Sequence, residues 1–268
     1  VDATALKAML KDGNELALLD IREEGQFGVA HMLHAIPLPY SVLEMRLATL
    51  VPRKSTRIVL VDSGDDVGAR AAARMAALGY DDVAIFDGGM DNWSAAGYEV
   101  FKGVNVPCKA FGEVVEHAAH TPSISAGELY AMQSAGDAVV VIDGRTPAEF
   151  KRMRIPNGFN VPNAELVYRV HDFAPDPKTP IVVNCAGRTR SIIGAQTLIN
   201  AGLPNRIVAL RGGTMGWQLA GLKLDHNSER SYGQLSDVAR QKALVRANHM
   251  REHWNVRMID RATLENWR

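Results

Sequence analysis

Cysteine is scarce: Cys108 and Cys185 are the only two in 268 residues, and they stand 77 positions apart. Two are too few for a disulfide framework and wrongly spaced for a zinc site, so no metal and a reducing compartment are expected. Net charge is absent as well. Thirty Lys and Arg balance thirty Asp and Glu, which removes the global field that would draw a nucleic acid or an anionic bilayer. Long hydrophobic runs are missing too: none approaches the ~18 residues that cross a membrane, and no basic stretch leads into an apolar one near Val1. A soluble, cytoplasmic protein with neither nucleic-acid nor membrane partners is expected. The first residue is Val rather than Met, which leaves room for a removed leader. What is present is an apolar fraction of 47% with 23 Gly and 12 Pro, enough for one large domain or two of about 130 residues, and too much for a disordered chain.

The chain repeats itself. Leu19-Asp20-Ile21-Arg22 recurs as Ile142-Asp143-Gly144-Arg145 and Gln26-Phe27 as Glu149-Phe150, each 123 positions on. Pro39 maps to Pro162, Ile58-Val59-Leu60-Val61 to Ile181-Val182-Val183-Asn184, and Gly79 to Gly202 at the same offset. One residue enters near Pro204-Asn205, so Gly88-Gly89 and Trp93 return as Gly212-Gly213 and Trp217 at an offset of 124. A fixed offset of this kind is the mark of a duplicated unit. A fainter echo, Ile259-Asp260 with Leu264, matches Val1-Asp2 with Leu6 and Ile124-Ser125 with Leu129. It is expected to open a third copy in a longer tandem protein.

Each copy has one coarse order. A short capped helix (from Thr4 to Leu10, or Ser125 to Met132) precedes a continuous apolar run (Leu16 to Ile21, or Ala138 to Ile142), which reads as a buried parallel strand. A second strand, Ile58 to Val61 or Ile181 to Val183, enters a Gly-bearing polar loop and an alanine-rich helix, Ala69 to Leu78 or Ser191 to Ala201. The last strand, Val83 to Phe86 or Ile207 to Leu210, ends at the double glycine before a Trp-bearing helix. Strands alternating with helices predict an α/β fold, each copy a parallel sheet flanked by helices on both faces. The expected domains are 1–105 and 124–225, with a linker over 106–123, a helical connector over 226–257 and the third opening over 258–268.

In such sheets a ligand lies beyond the carboxyl ends of the strands. In the second copy that place holds Cys185-Ala186-Gly187-Arg188-Thr189-Arg190-Ser191, with a helix starting at once. A tight loop with inward N–H groups at a helix N-terminus favours an anion, here a thiolate, and Arg188 and Arg190 add full positive charges. Cys185 is therefore the candidate nucleophile. Cys-dependent phosphatases set an Arg six positions after the Cys, where Ser191 stands; Arg190 at five makes a smaller ring, suited to one sulfur atom rather than a phosphoryl group.

The Asp-x-Arg after the first strand, the x-Phe and Pro downstream, the Cys-x-Gly-x-x-Arg-Ser loop and the Gly-Gly-x-x-x-Trp ending resemble the rhodanese family of sulfurtransferases, from about Val1 to Leu224. The resemblance implies two tandem rhodanese-like domains. It implies that Cys185 takes a sulfane sulfur from a small-molecule donor such as thiosulfate or a persulfide, and passes it to a thiol or cyanide acceptor. Ala186, Gly187, Arg188, Thr189, Arg190 and Ser191 form the implied substrate cradle, and no cofactor is implied. A persulfide- or redox-sensing module without rapid turnover, and a phosphatase of related fold, are the competing readings.

The first copy departs at the decisive place. Asp62 stands for Cys185, Asp65 for Arg188, Val67 for Arg190 and Gly68 for Ser191. It is expected to be silent, its Asp62, Asp65 and Asp66 solvated, and to pack within the chain against the second copy. Asp143 and Arg145 recur as Asp20 and Arg22 in the copy without a cysteine, so a structural role is expected for them. The pairs His31/His34, His117/His120 and His249/His253 lack a third ligand in sequence and read as surface or linker residues. Cys108, beside Pro107, reads as an incidental thiol, and Trp93 and Trp217 as core.

Overall fold

The structure, a computed structural model, describes residues 1–227, 230 and 232–267. Positions 228, 229 and 231 of the expected connector, and 268 at the end of the expected third opening, lie outside the described residues. The chain divides into two compact units, Val1–Cys108 and Lys109–Arg268.

The first unit is built on strands β1 (Ala17–Asp20), β2 (Ile36–Pro37), β3 (Ile58–Val61) and β4 (Val83–Ile85), in the order β2-β1-β3-β4. The second is built on β5 (Ser123–Ile124), β6 (Val140–Asp143), β7 (Phe159–Asn160), β8 (Ile181–Asn184) and β9 (Ile207–Leu210), in the order β5-β9-β8-β6-β7. Every neighbouring pair is parallel, with β8 between β6 and β9. The expected α/β fold with helices on both faces is what the chain forms. The two-residue strands β2, β5 and β7 carry too few side chains to register as a pattern in sequence.

Residues Ile181 to Asn184 are buried without exception, which is why the run is continuous rather than alternating. Ile181 and Val183 enter one apolar core with Leu166, Val170, Ile192 and Leu198. Val182 enters the other, with Leu129, Val208 and Trp217. Each aliphatic side chain so buried contributes about 1.5–3 kcal/mol, so the strand that carries the loop is firmly anchored in both cores. Leu60 and Val59 divide between two cores of the first unit in the same way.

Local capping follows the sequence closely. Asp2 accepts from the Ala5 N–H at 2.8 Å before helix Ala3–Met9, and Ser125 caps helix Ala126–Ala135. Asp260 accepts from the Thr263 N–H at 2.8 Å before a third short helix, Arg261–Asn266. Leu6 and Leu129 are buried under these helices, whereas Leu264 is exposed. The region after the second sheet holds helix Asp237–His253, capped by Ser236, which lies against helix Leu166–Phe173 and buries Ala239 and Ala243. The stretch read as a linker forms a helix, Val106–Ala119. No helix among the described residues is long and apolar enough to cross a membrane.

Candidate active site

β8 ends at Asn184, and the chain turns through Cys185, Ala186, Gly187 and Arg188 into helix Thr189–Asn200. Cys185 is 2% exposed, yet it belongs to neither apolar core of its unit. Its thiol donates to Ser191 Oγ at 3.6 Å, and Ser191 Oγ in turn donates to the Arg188 carbonyl at 2.7 Å. The N–H groups from Ala186 to Ser191 find no acceptor among the described residues. They are the unspent donors that a helix start leaves over.

The loop is held from below by helix Gly213–Leu219. Thr214 N–H donates to the Cys185 carbonyl at 2.9 Å and Met215 N–H to the Ala186 carbonyl at 3.0 Å. This approach requires glycine at 213, where φ is +54° and a Cβ would stand 2.2 Å from the Cys185 carbonyl oxygen. The double glycine read in sequence is thus the seat of the loop. Trp217 is buried on the same helix, with Nε1 donating to the Lys223 carbonyl at 2.9 Å. Trp93 repeats this arrangement toward Glu99 in the first unit.

Both loop arginines are engaged. Arg190 Nη1 and Nη2 grip Glu149 at 2.8 and 2.7 Å, a bidentate pair with the helix that follows β6. Arg188 meets Glu116 and, at 3.0 Å, Glu113, both on helix Val106–Ala119. That helix touches the loop directly: a Cβ on Gly112 would come within 2.8 Å of Thr189 Cγ2. Sequence reasoning missed Glu113, Glu116 and Glu149 as site residues. For Glu149 a signal existed, because Gln26 takes its place in the copy where Val67 replaces Arg190.

Beneath the loop lies a buried polar layer. Arg145 Nε and Nη2 donate to Asp143 at 2.9 and 2.8 Å, and Nη2 also reaches the Met153 carbonyl at 2.6 Å. Asn184 donates to Asp143 Oδ2 at 2.8 Å, Asn160 to the Arg145 carbonyl at 2.8 Å, and Asn163 to the Arg190 carbonyl at 2.8 Å. In the first unit Arg22 holds Asp20 at 2.9 and 2.6 Å and reaches the Ala30 carbonyl at 2.6 Å. The ion pair therefore recurs without a cysteine. The three asparagines do not: their counterparts are Val61, Pro37 and Tyr40.

The loop of the first unit corrects one expectation. Asp62 is not solvated but 4% exposed, its Oδ1 accepting from the Gly64 N–H at 2.9 Å and its Oδ2 from the Gly68 N–H at 3.0 Å. The two amides match those of Gly187 and Ser191 in the second unit. A buried carboxylate is stable only when its lone pairs are met by donors, and the loop amides meet them. The first cradle is filled by the chain's own anion. Asp65 and Asp66 remain exposed. Among the described residues no group of three His, Cys, Asp or Glu could hold a metal ion. His31 is buried with Nδ1 2.9 Å from the Phe27 carbonyl, and Cys108 is exposed.

The Arg190 guanidinium pulls the Glu149 carboxyl from 4.5 down to about 2, while Glu149 raises Arg190 further above its usual range. A depressed carboxylate stabilises the fold fully above the unfolded value of about 4.5, and that contribution fades as pH falls toward 2. The pair is over one-third exposed, so screening leaves it about 1 kcal/mol or less. Glu149→Gln is expected to lower the urea midpoint at pH 7 and to converge on the parent protein as pH drops from 4.5 toward 2. A gap that stays constant with pH would contradict this.

Comparison with known proteins agrees with the geometry. The Rhodanese-like domain profile matches residues 2–96 and again 125–220. The crystal structure of a thiosulfate sulfurtransferase from Pseudomonas aeruginosa superposes with a TM-score of 0.96 at 48% identity, over 100% of this chain and 51% of that one. A helix-turn-helix-type transcriptional regulator of Mycobacterium tuberculosis is 29% identical over 111 residues, 41% of this chain and 48% of that protein. The chain spans about half the length of both relatives. Two copies of one domain, matched along most of their length, place this chain in the rhodanese-like family.

Proposed function

We propose that this chain is a sulfurtransferase that carries a sulfane sulfur on Cys185. The observation that carries the reading is the contrast between the two loops. Where the cysteine is missing, the amides of the loop close on the Asp62 carboxylate; where Cys185 stands, the equivalent amides have no acceptor among the described residues. A cradle that takes a carboxylate in one copy suits a thiolate, or the terminal sulfur of a persulfide, in the other. The thiosulfate sulfurtransferase likeness supports the same chemistry.

In the forward half-reaction the Cys185 thiolate attacks the outer sulfur of the donor. The donor's S–S bond breaks, and sulfite leaves with the bonding pair if the donor is thiosulfate, or a thiolate if it is a persulfide. The new Cys185 persulfide places its charged terminal sulfur among the amides from Ala186 to Ser191. In the second half-reaction cyanide or a thiol attacks that terminal sulfur, and the Cys185 thiolate departs. Ser191 Oγ, 3.6 Å from Sγ, can turn its proton toward the thiolate when the thiol proton is gone. Asp143 and Arg145 hold the strand ends beneath the loop rather than touching the donor. A reducing compartment suits two free cysteines.

A second reading, a sulfur- or oxidant-sensing module, is favoured by the likeness to the M. tuberculosis transcriptional regulator. Turnover separates the two. With thiosulfate and cyanide in excess, the enzyme forms many thiocyanates per chain with parallel double-reciprocal plots, as a ping-pong exchange requires. One thiocyanate per chain and no more would support the sensor and reject the enzyme.

A further inference from the structure

We infer that Glu113 and Glu116, on helix Val106–Ala119, are specificity-determining residues that turn the Cys185 loop toward sulfur donors of low charge and away from dianionic thiosulfate. The inference rests on the sulfurtransferase reading above and names the donor class within it.

Formal charge at the loop is set by its ion pairs. The loop brings two guanidinium groups, Arg188 and Arg190. Against them stand three carboxylates in direct ion pairs: Glu149 on Arg190, and Glu113 and Glu116 on Arg188. The Asp143–Arg145 pair below is neutral as a unit and buried. The loop and its partners therefore carry one formal negative charge, although the loop sequence alone carries two positive ones. A donor entering with two negative charges meets a repulsive set. A donor with at most one, such as an alkyl persulfide, meets far less repulsion.

The clamp on Arg188 is built into the fold. Gly112 lets the helix approach until Thr189 lies against its backbone, and Val115, one turn along, packs on the apolar core of the unit. Glu113 and Glu116 are one helical turn apart, so both reach the same guanidinium. With both carboxylates on Arg188, its positive charge is already met before thiosulfate arrives. The groups are partly exposed, Glu113 at 54% and Glu116 at 27% of their side chains, so the discrimination is modest rather than absolute.

The test is the double variant E113Q/E116Q, read with two donors in the same persulfide-formation assay. Thiosulfate kcat/KM is expected to rise about tenfold, and that of an alkyl persulfide to stay within about twofold. Ionic strength gives a second readout: the parent protein should react faster with thiosulfate as salt screens the repulsion, and the variant should lose that acceleration. Equal changes for both donors, no change for thiosulfate, or a parent rate that falls with salt would overturn the inference while leaving the Cys185 persulfide intact. If neither donor forms a persulfide in either protein, the sulfurtransferase reading fails with it.

Discussion

Cys185→Ser is expected to abolish sulfur transfer, lowering turnover about a thousandfold or more. The reason is positional as much as chemical. Of the two cysteines, Cys185 stands at the end of a buried central strand, before a loop whose N–H groups find no acceptor among the described residues. The other cysteine, Cys108, lies exposed on helix Val106–Ala119. The corresponding position of the first unit carries Asp62, whose oxygens are already bonded to the loop amides. Serine preserves volume and a hydrogen bond to Ser191, so the fold should persist and the loss should be chemical. A variant that keeps a tenth of the parent rate would mean that sulfur travels by another group.

Arg145→Ala is expected to have the largest effect on stability. Arg145 and Asp143 have side chains only 3% and 2% exposed. Removing the guanidinium strands the Asp143 carboxylate in the interior with Asn184 as its remaining side-chain donor. Breaking one partner of a buried pair costs about 3–5 kcal/mol, against a total domain stability of about 5–15 kcal/mol. Arg145 also ties the Met153 carbonyl at 2.6 Å, so the turn after helix Pro147–Arg152 loses its anchor as well. Equilibrium unfolding in urea should show this loss. A change below about 1 kcal/mol would mean that the pair is dispensable.

Much of this was legible from the repeat. Because Ile181 to Val183 and Ile58 to Val61 are buried on both faces of their sheets, they read as apolar runs and could be placed as central strands. The seat at Gly213 was visible as a double glycine that returned in both copies, although only the backbone showed that its Cβ would strike the Cys185 carbonyl. What stayed hidden was contact across the fold. Arg188 and Arg190 read as free cations in the loop, yet their charge is met by carboxylates supplied from about 40 to 75 positions earlier in the chain. No local pattern encodes such a meeting.

The polar support of the loop was half hidden. Asn160, Asn163 and Asn184 replace Pro37, Tyr40 and Val61 of the first copy, a difference that comparison of the copies exposes. Its meaning lies in contacts made across the fold, where the three amides donate to the Arg145 and Arg190 carbonyls and to Asp143. Asp62 shows the reverse case. In sequence it is one of three neighbouring acids on a polar loop, set apart from Asp65 and Asp66 only by standing opposite Cys185 in the other copy. Its burial follows from strand β3 ending one residue earlier, which points it into the cradle while the next acids face outward.

The most direct test is the mass of the intermediate. After incubation with a sulfur donor and removal of the excess, the intact protein should gain about 32 Da, the gain should map to the peptide bearing Cys185, and cyanide should return the mass to its starting value. A protein that turns over donor and acceptor while the Cys185 peptide never carries the extra sulfur would contradict the account.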